Sequence, residues 1–350
     1  MTNTNARTQV PELRRRIEKM GIPTFLGGMA RGLLGRNGSL HIRQGRSNAL
    51  RRADCVILCG AVADFRLQYG RALPKRARIV ACNRDENSLN LNKGLFWNAD
   101  LAIRADPCDF LISLSRLLSQ TFVSKFKSWA SELKSLEVEK ERKNQDKARE
   151  VVRGRGQKRS ESLINPMALL GSLESELPEK SILVADGGDF VATASYIVRP
   201  RGPLTWLDPG AYGTLGVGAG FALGAKLVNP ESEVWIIWGD GSSGYSIAEF
   251  DTFTRHNIPV IGLVGNDACW SQIEREQTPM FGSPTACNLD YCAYDKVAEG
   301  YGGVGLCLQN PDDDIAAVMR KAQQICRTGR PVLINALIGK SDFREGSLSV

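Results

Sequence analysis

The chain has 350 residues, a formal net charge of +7, 43% hydrophobic and 24% charged residues. This balance is that of an ordinary globular protein, long enough for about two domains and a sizeable core. Much of the positive excess sits in one stretch and aromatics are sparse, which argues against a nucleic-acid-binding face. The nine cysteines are odd in number and form no CxxC pair, and several lie in apolar runs such as Cys55-Val56-Ile57-Leu58-Cys59. They read as reduced, buried thiols of a reducing compartment rather than as a disulfide framework or zinc site. Met1 to Gln9 is polar, so no signal peptide is expected. No run of 18 apolar residues occurs, so no membrane segment is expected and the chain as given is read as soluble.

In chain order, residues 11–20 read as a helix with Pro11 tolerated at its start and Gly21 closing it. A short buried strand is expected at Ile22–Leu26. Then come a helix near Arg46–Arg52, a strand at Asp54–Cys59, a helix near Phe65–Ala72 and a strand at Arg78–Cys82. A further strand, Ala99–Ile103, precedes a helix at Cys108–Gln120. Residues 124–162 change in composition to Lys, Arg, Glu and Gln, as in Lys140-Glu141-Arg142-Lys143. The front of this stretch is a candidate solvated helix. The back, Arg153-Gly154-Arg155-Gly156-Gln157-Lys158-Arg159, reads as an exposed linker, with polyanion binding as the lesser alternative.

A second α/β pattern starts near Asn165. Ser181–Ala185 is a strand ending at Asp186-Gly187-Gly188-Asp189, and residues 210–225 are glycine-rich, then helical. Glu233–Trp238 is a strand followed by Gly239-Asp240-Gly241 and a helix at Ser246–His256. Val260–Val264 is a strand followed by Gly265-Asn266-Asp267. A helix at Asp312–Thr328 and a strand at Pro331–Ile338 close the pattern. Apolar strands alternating with helices predict an α/β protein with two doubly wound parallel-sheet domains. The expected boundaries are 1–123 for the first domain, 124–162 for a charged linker and 163–350 for the second domain.

The chemistry concentrates at two strand ends. Ligands of open parallel sheets sit beyond the carboxyl ends of the strands. Glycines let backbone N–H groups approach a phosphate closely. Asp240 and Asp267 are hard oxygen donors of the kind Mg²⁺ takes beside phosphates. A diphosphate held by Mg²⁺ between these strand ends is the physical reading. No early G-x-G-x-x-G follows a strand, which counts against a Rossmann oxidoreductase.

Gly239-Asp240-Gly241, then 24 residues, then Asn266-Asp267, resembles the signature of thiamine diphosphate-dependent enzymes. The resemblance implies thiamine diphosphate and Mg²⁺ as cofactors. It places Asp240, Asp267 and the backbone of Cys269 on the metal, with Asn266 as the ligand if the register differs by one. Asp267 stands where that family usually has Asn. The loop Gly210-Ala211-Tyr212-Gly213-Thr214-Leu215-Gly216 is similar to the family loop in which the carbonyl at Gly213 meets the aminopyrimidine and Leu215 props the bent cofactor. Close helix–sheet packing is the other use of these glycines. The cofactor-binding set is thus Asp189, Gly213, Thr214, Leu215, Gly239, Asp240, Gly241, Ser242, Asn266, Asp267, Ala268 and Cys269. Trp270, Ser271 and Gln272 are candidates for a substrate channel, with core packing the alternative for Trp270.

The first domain resembles the middle domain of acetolactate synthase and oxalyl-CoA decarboxylase types. Segments such as residues 25–36, Trp206-Leu207-Asp208-Pro209-Gly210, Gly265-Asn266-Asp267-Ala268 and the tail Asp342-Phe343-Arg344-Glu345-Gly346-Ser347 resemble the acetolactate synthase-like 2-hydroxyacyl-CoA lyases of animals. The resemblance implies cleavage of a 2-hydroxyacyl-CoA to a fatty aldehyde and formyl-CoA, a step of fatty acid α-oxidation. It implies a homo-oligomer or association with full-length subunits, and the endoplasmic reticulum membrane if an upstream anchor exists, the cytoplasm otherwise. The family carries a further pyrimidine-binding domain with an activating Glu, which is expected to be missing, as is the first strand of the middle domain. The chain is therefore expected to be inactive alone: a fragment, an isoform or a non-catalytic subunit, with an acetolactate synthase-type carboligase as the other activity the resemblance allows. Catalytic residues stay unassigned, Glu249 and Glu274 being candidates by type only. Neither His41 nor His256 reads as a general base. Asn83 stands where the family's nucleotide site has an acid, with Asp85 following, so FAD is not favoured.

Overall fold

The computed structural model describes residues 6–345. The first half of the polar Met1–Gln9 start, and Gly346-Ser347 of the tail motif, lie outside the described residues. The chain forms two compact units, one up to Arg142 and one from Lys143 onward.

In the first unit, strands β1 (Cys55–Cys59), β2 (Arg78–Asn83) and β3 (Leu101–Arg104) form a parallel sheet in sequence order. Their β-branched and small apolar residues pack with Leu67, Leu73 and Trp97 into one core. The helices Ala6–Met20 and Pro107–Leu117 meet through Leu13, Ile17, Met20, Cys108 and Ile112. Asp106 caps the second of these, accepting from the N–H groups of Cys108 and Asp109, with Pro107 at its first position.

Three expected elements differ. The first helix begins at Ala6, so Pro11 lies inside it rather than at its start. Ile22–Leu26 is not a strand. Pro23 donates no N–H, and the segment makes only the isolated bridge Thr24–His41. Phe65–Gly70 is a broken 3₁₀ segment rather than a helix, because Gln68 and Tyr69 take left-handed backbone angles of +52° and +56°. Asp85 caps the helix Glu86–Asn90 through the N–H of Ser88, and Asn83 Oδ1 accepts from the N–H of Asp85.

The helix Lys127–Lys147 forms at the front of the charged stretch, as its composition allows. The back of the stretch is structured as well. Strand β4 (Val152–Arg153) pairs antiparallel with β5 (Ser162–Leu163), making a hairpin in the second unit. Gly339 N–H donates to Ile164 and Lys340 N–H to Arg153, which ties the hairpin to the end of the last strand.

The second unit is built on a six-stranded, wholly parallel sheet. Its strands are β6 (Ser181–Ala185), β7 (Trp206–Leu207), β8 (Glu233–Gly239), β9 (Ile261–Asn266), β10 (Val304–Leu308) and β11 (Val332–Leu337), in the order β10-β11-β9-β8-β6-β7. Side chains alternate between two cores. Leu183, Trp235, Ile237 and Leu263 face the helices Pro166–Glu176, Asp189–Ile197 and Ile315–Arg327. Val184, Ile236, Trp238 and Val264 face Gly218–Val228, Phe250–Arg255 and Tyr294–Gly300. The sheet is thus covered on both faces, as its continuous apolar strands require. The chain winds outward from β6 to β7, then returns to β8 and runs the other way. The topological switch therefore falls between β6 and β8, where open α/β sheets hold their ligands.

Candidate functional site

Three loops converge at that switch point: residues 186–189 after β6, 239–242 at the end of β8 and 266–269 at the end of β9. A cavity of about 180 Å³ opens between them. Asp189, Gly213, Leu215, Gly239, Asp240, Gly241, Ser242, Asp267 and Cys269 line it, with Trp270, Ser271 and Gln272 of the following segment. Thr214, Asn266 and Ala268 stand beside the cavity without lining it.

Asp240 is 3% exposed. Its Oδ1 accepts from the N–H of Gly241 at 2.7 Å, and its Oδ2 from the N–H of Cys269 at 3.1 Å, so it joins the β8 and β9 loops directly. Asp267 accepts a short hydrogen bond from Ser271 Oγ. Burial pushes both carboxyls above the ordinary carboxylate range, and the charge of Asp240 pushes Asp267 further. Two acids so placed are relieved by a cation between them.

Asn266 is fully buried. Its Nδ2 donates to the carbonyl of Cys292 at 3.0 Å and to Asn335 Oδ1 at 3.3 Å. Ala268 holds a left-handed φ of +55°, which turns the chain sharply just before Cys269. Burial pushes the Cys269 thiol up to about 12, so it carries no thiolate at neutral pH.

Two of the glycines are required by the side chains packed against them. A Cβ at Gly187 would come within 2.1 Å of Leu215 Cδ2, and one at Gly241 within 2.4 Å of the Trp270 ring. Ser242 Oγ shares its one proton between the carbonyls of Gly187 and Gly239, joining the loops after β6 and β8. The loop bearing Gly213 and Leu215 is held by Asp186, a buried carboxylate accepting from the N–H groups of Gly216 and Gly218 at 2.8 and 2.9 Å and from Trp238 Nε1 at 3.0 Å. At the far side, Asp189 pairs with Arg275.

Two features are not apparent from the sequence. Asp186 is visible there as a strand-end acid, but its role emerges only once the glycine loop folds back to it. Arg155, expected in a solvated linker, is instead only 12% exposed and built into the site. Its Nη1 pairs with Glu274 at 2.8 Å, its Nη2 donates to Ser271 Oγ at 3.1 Å, and its Nε lies 3.8 Å from Asp267 Oδ2. The hairpin β4–β5 delivers it. Flanking glycines are the only hint: a Cβ at Gly154 would strike the Lys158 carbonyl at 2.6 Å.

No glutamate lines the cavity among the described residues. Glu249 is exposed and Glu274 is paired with Arg155. His41 is buried in the first unit and His256 is exposed beside Arg255, and neither lines the cavity. Among the described residues, no group of three or more His, Cys, Asp or Glu could hold a metal ion. Nor is any helix there long and apolar enough to cross a membrane.

A glycine-floored cradle at a switch point, with two carboxylates at adjacent strand ends, fits a diphosphate held with a hard cation. Residues 186–336 match the family described as thiamine pyrophosphate enzyme, C-terminal TPP binding domain. The second unit thus carries the cofactor-binding domain of the thiamine pyrophosphate enzymes. Across 98% of its length the chain is also 54% identical to 2-hydroxyacyl-CoA lyase 2 of Danio rerio and 50% identical to that of Homo sapiens, covering 54% and 53% of them. A probable acetolactate synthase of Mycobacterium bovis is 29% identical over 94% of the chain and 56% of its own length. The chain spans about half the length of the curated relatives it matches.

Proposed function

We propose that the second unit binds the diphosphate of thiamine diphosphate together with Mg²⁺, as the cofactor-holding part of a 2-hydroxyacyl-CoA lyase. The observation that carries this reading is the pair of carboxylates on one cavity, Asp240 buried and Asp267 15% exposed, beside a floor of glycines without side chains. In it, Asp240, Asp267 and the backbone carbonyl of Cys269 hold the metal. Asp267 lines the cavity whereas Asn266 does not, which supports Asp267 as the second ligand. The Gly213 carbonyl would hold the aminopyrimidine and Leu215 would support the cofactor from below. Bound thiamine diphosphate supplies an electron sink for carbon–carbon cleavage of a 2-hydroxyacyl-CoA to a fatty aldehyde and formyl-CoA. The residues of this chain grip, orient and shield it, Trp270 and Gln272 lining the approach. The names of the relatives support this substrate class.

Titration calorimetry tests the reading. Thiamine diphosphate is expected to bind with Mg²⁺ present and to lose that binding in EDTA. No heat of binding under either condition would sink it.

A second reading, association with further subunits, is favoured by bulky apolar residues exposed on the elements around the cavity. Tyr212 is 94% exposed, Met280 72% and Phe281 73%. Light scattering is expected to give a mass of at least two chains. A monomer at tens of micromolar would count against it.

A further inference from the structure

We propose that Arg155 is a positioning residue for Asp267: a built-in counter-charge that lets an acid serve at a metal site beside a diphosphate. The inference rests on the reading of Asp267 as a ligand of cofactor-held Mg²⁺.

Asp267 carries one formal negative charge more than an asparagine would at the same place. That charge is only 15% exposed, faces Asp240, and under the proposed function faces a polyanion as well. An uncompensated charge there would be costly. Arg155 lies against it on the cavity's flank. Its Nε is buried, makes no hydrogen bond among the described residues, and lies 3.8 Å from Asp267 Oδ2. Its Nη2 donates to Ser271 Oγ at 3.1 Å. A guanidinium only donates, so Ser271 must accept there and turn its own O–H onto Asp267 Oδ2. Arg155 therefore acts twice: directly through its charge, and through Ser271 by fixing which way the carboxylate points. It is itself held by Glu274 at 2.8 Å, and its backbone N–H donates to Tyr291 Oη at 3.0 Å. Lys340 Nζ, 3.8 Å from Glu274, keeps that second acid from taking up the guanidinium's whole charge.

The test compares Arg155→Met, Asp267→Asn, both together, and Arg155→Met with Glu274→Gln, titrated with thiamine diphosphate and Mg²⁺. Arg155→Met is expected to weaken cofactor binding by about ten- to a hundredfold, the range seen when groups supporting a metal ligand are lost. In the Asp267→Asn background the same substitution is expected to cost less than about threefold, since the charge to be balanced is gone. Removing Glu274 instead should restore nothing. Unchanged binding in Arg155→Met would overturn the proposal, as would rescue by Glu274→Gln but not by Asp267→Asn. Urea unfolding of the same set without cofactor separates this from the functional reading. There the Arg155→Met midpoint shift is expected to be larger with Asp267 present than with Asn. If the wild type binds no cofactor, the functional reading fails, while this cycle still decides the pairing: equal shifts would refute it.

Discussion

Asp240 and Asp267 sit in one cavity but are held differently. Asp240 is fixed by backbone N–H groups of two loops, Asp267 by side chains. Asp240→Ala is therefore expected to remove Mg²⁺-dependent thiamine diphosphate binding and also to loosen the Cys269 loop. Calorimetry should find at least about a hundredfold loss, as for removal of a charged group from a desolvated site. Gly187→Ala makes a sharper probe of the cradle. Its new methyl would overlap Leu215, whose flexible side chain can swing aside. The fold should survive with little change in melting temperature while the cofactor affinity drops, as calorimetry would show. The two acids are legible in the sequence because each follows an apolar strand at once, so strand register alone fixes their place. Arg155 is not, since no local pattern tells where a hairpin will dock.

The strands of the second unit are readable from their apolar runs, and most bounds fall within a residue or two of expectation. β7 and β10 are missed for identifiable reasons. β7 is only two residues long, and β10 contains Gly305 and a half-buried edge face that mutes its pattern. The Ile22–Leu26 strand fails because an apolar run needs a partner ladder as well as burial, and Pro23 withholds a donor. Close packing between elements has a measurable cost when breached. A Cβ on Gly265 of β9 would sit 2.3–2.6 Å from the Phe190 ring. Gly265→Ala is expected to destabilise the chain by about 1–3 kcal/mol through overpacking. Urea denaturation should show it, and Phe190→Leu should relieve part of the strain.

At the scale of the molecule, two linkages set stability. His41 is 7% exposed, and burial, with Arg43 next in effect, lowers its pKa from 6.5 to about 4. Between those values the unfolded chain takes up the proton and the folded chain does not. Stability is therefore full above pH 6.5 and is lost as pH falls towards 4, by up to about 3 kcal/mol. Unfolding the wild type and His41→Gln at pH 7 and pH 4.5 checks this: the variant should lose less on acidification. The cofactor supplies the opposite linkage. At about a hundred times its dissociation constant, thiamine diphosphate with Mg²⁺ should stabilise the second unit by about 2.7 kcal/mol, read as a rise in melting temperature that EDTA abolishes.

The hairpin that carries Arg155 turns a stretch rich in charge and poor in apolar residues into a participant in the site. Such stretches normally drift freely between related sequences. Here position 155 is tied to position 267 by charge, so the two should change together in descent. Lineages with asparagine at 267 are free to lose the arginine, and those that keep the aspartate should keep the arginine and its flanking glycines as well.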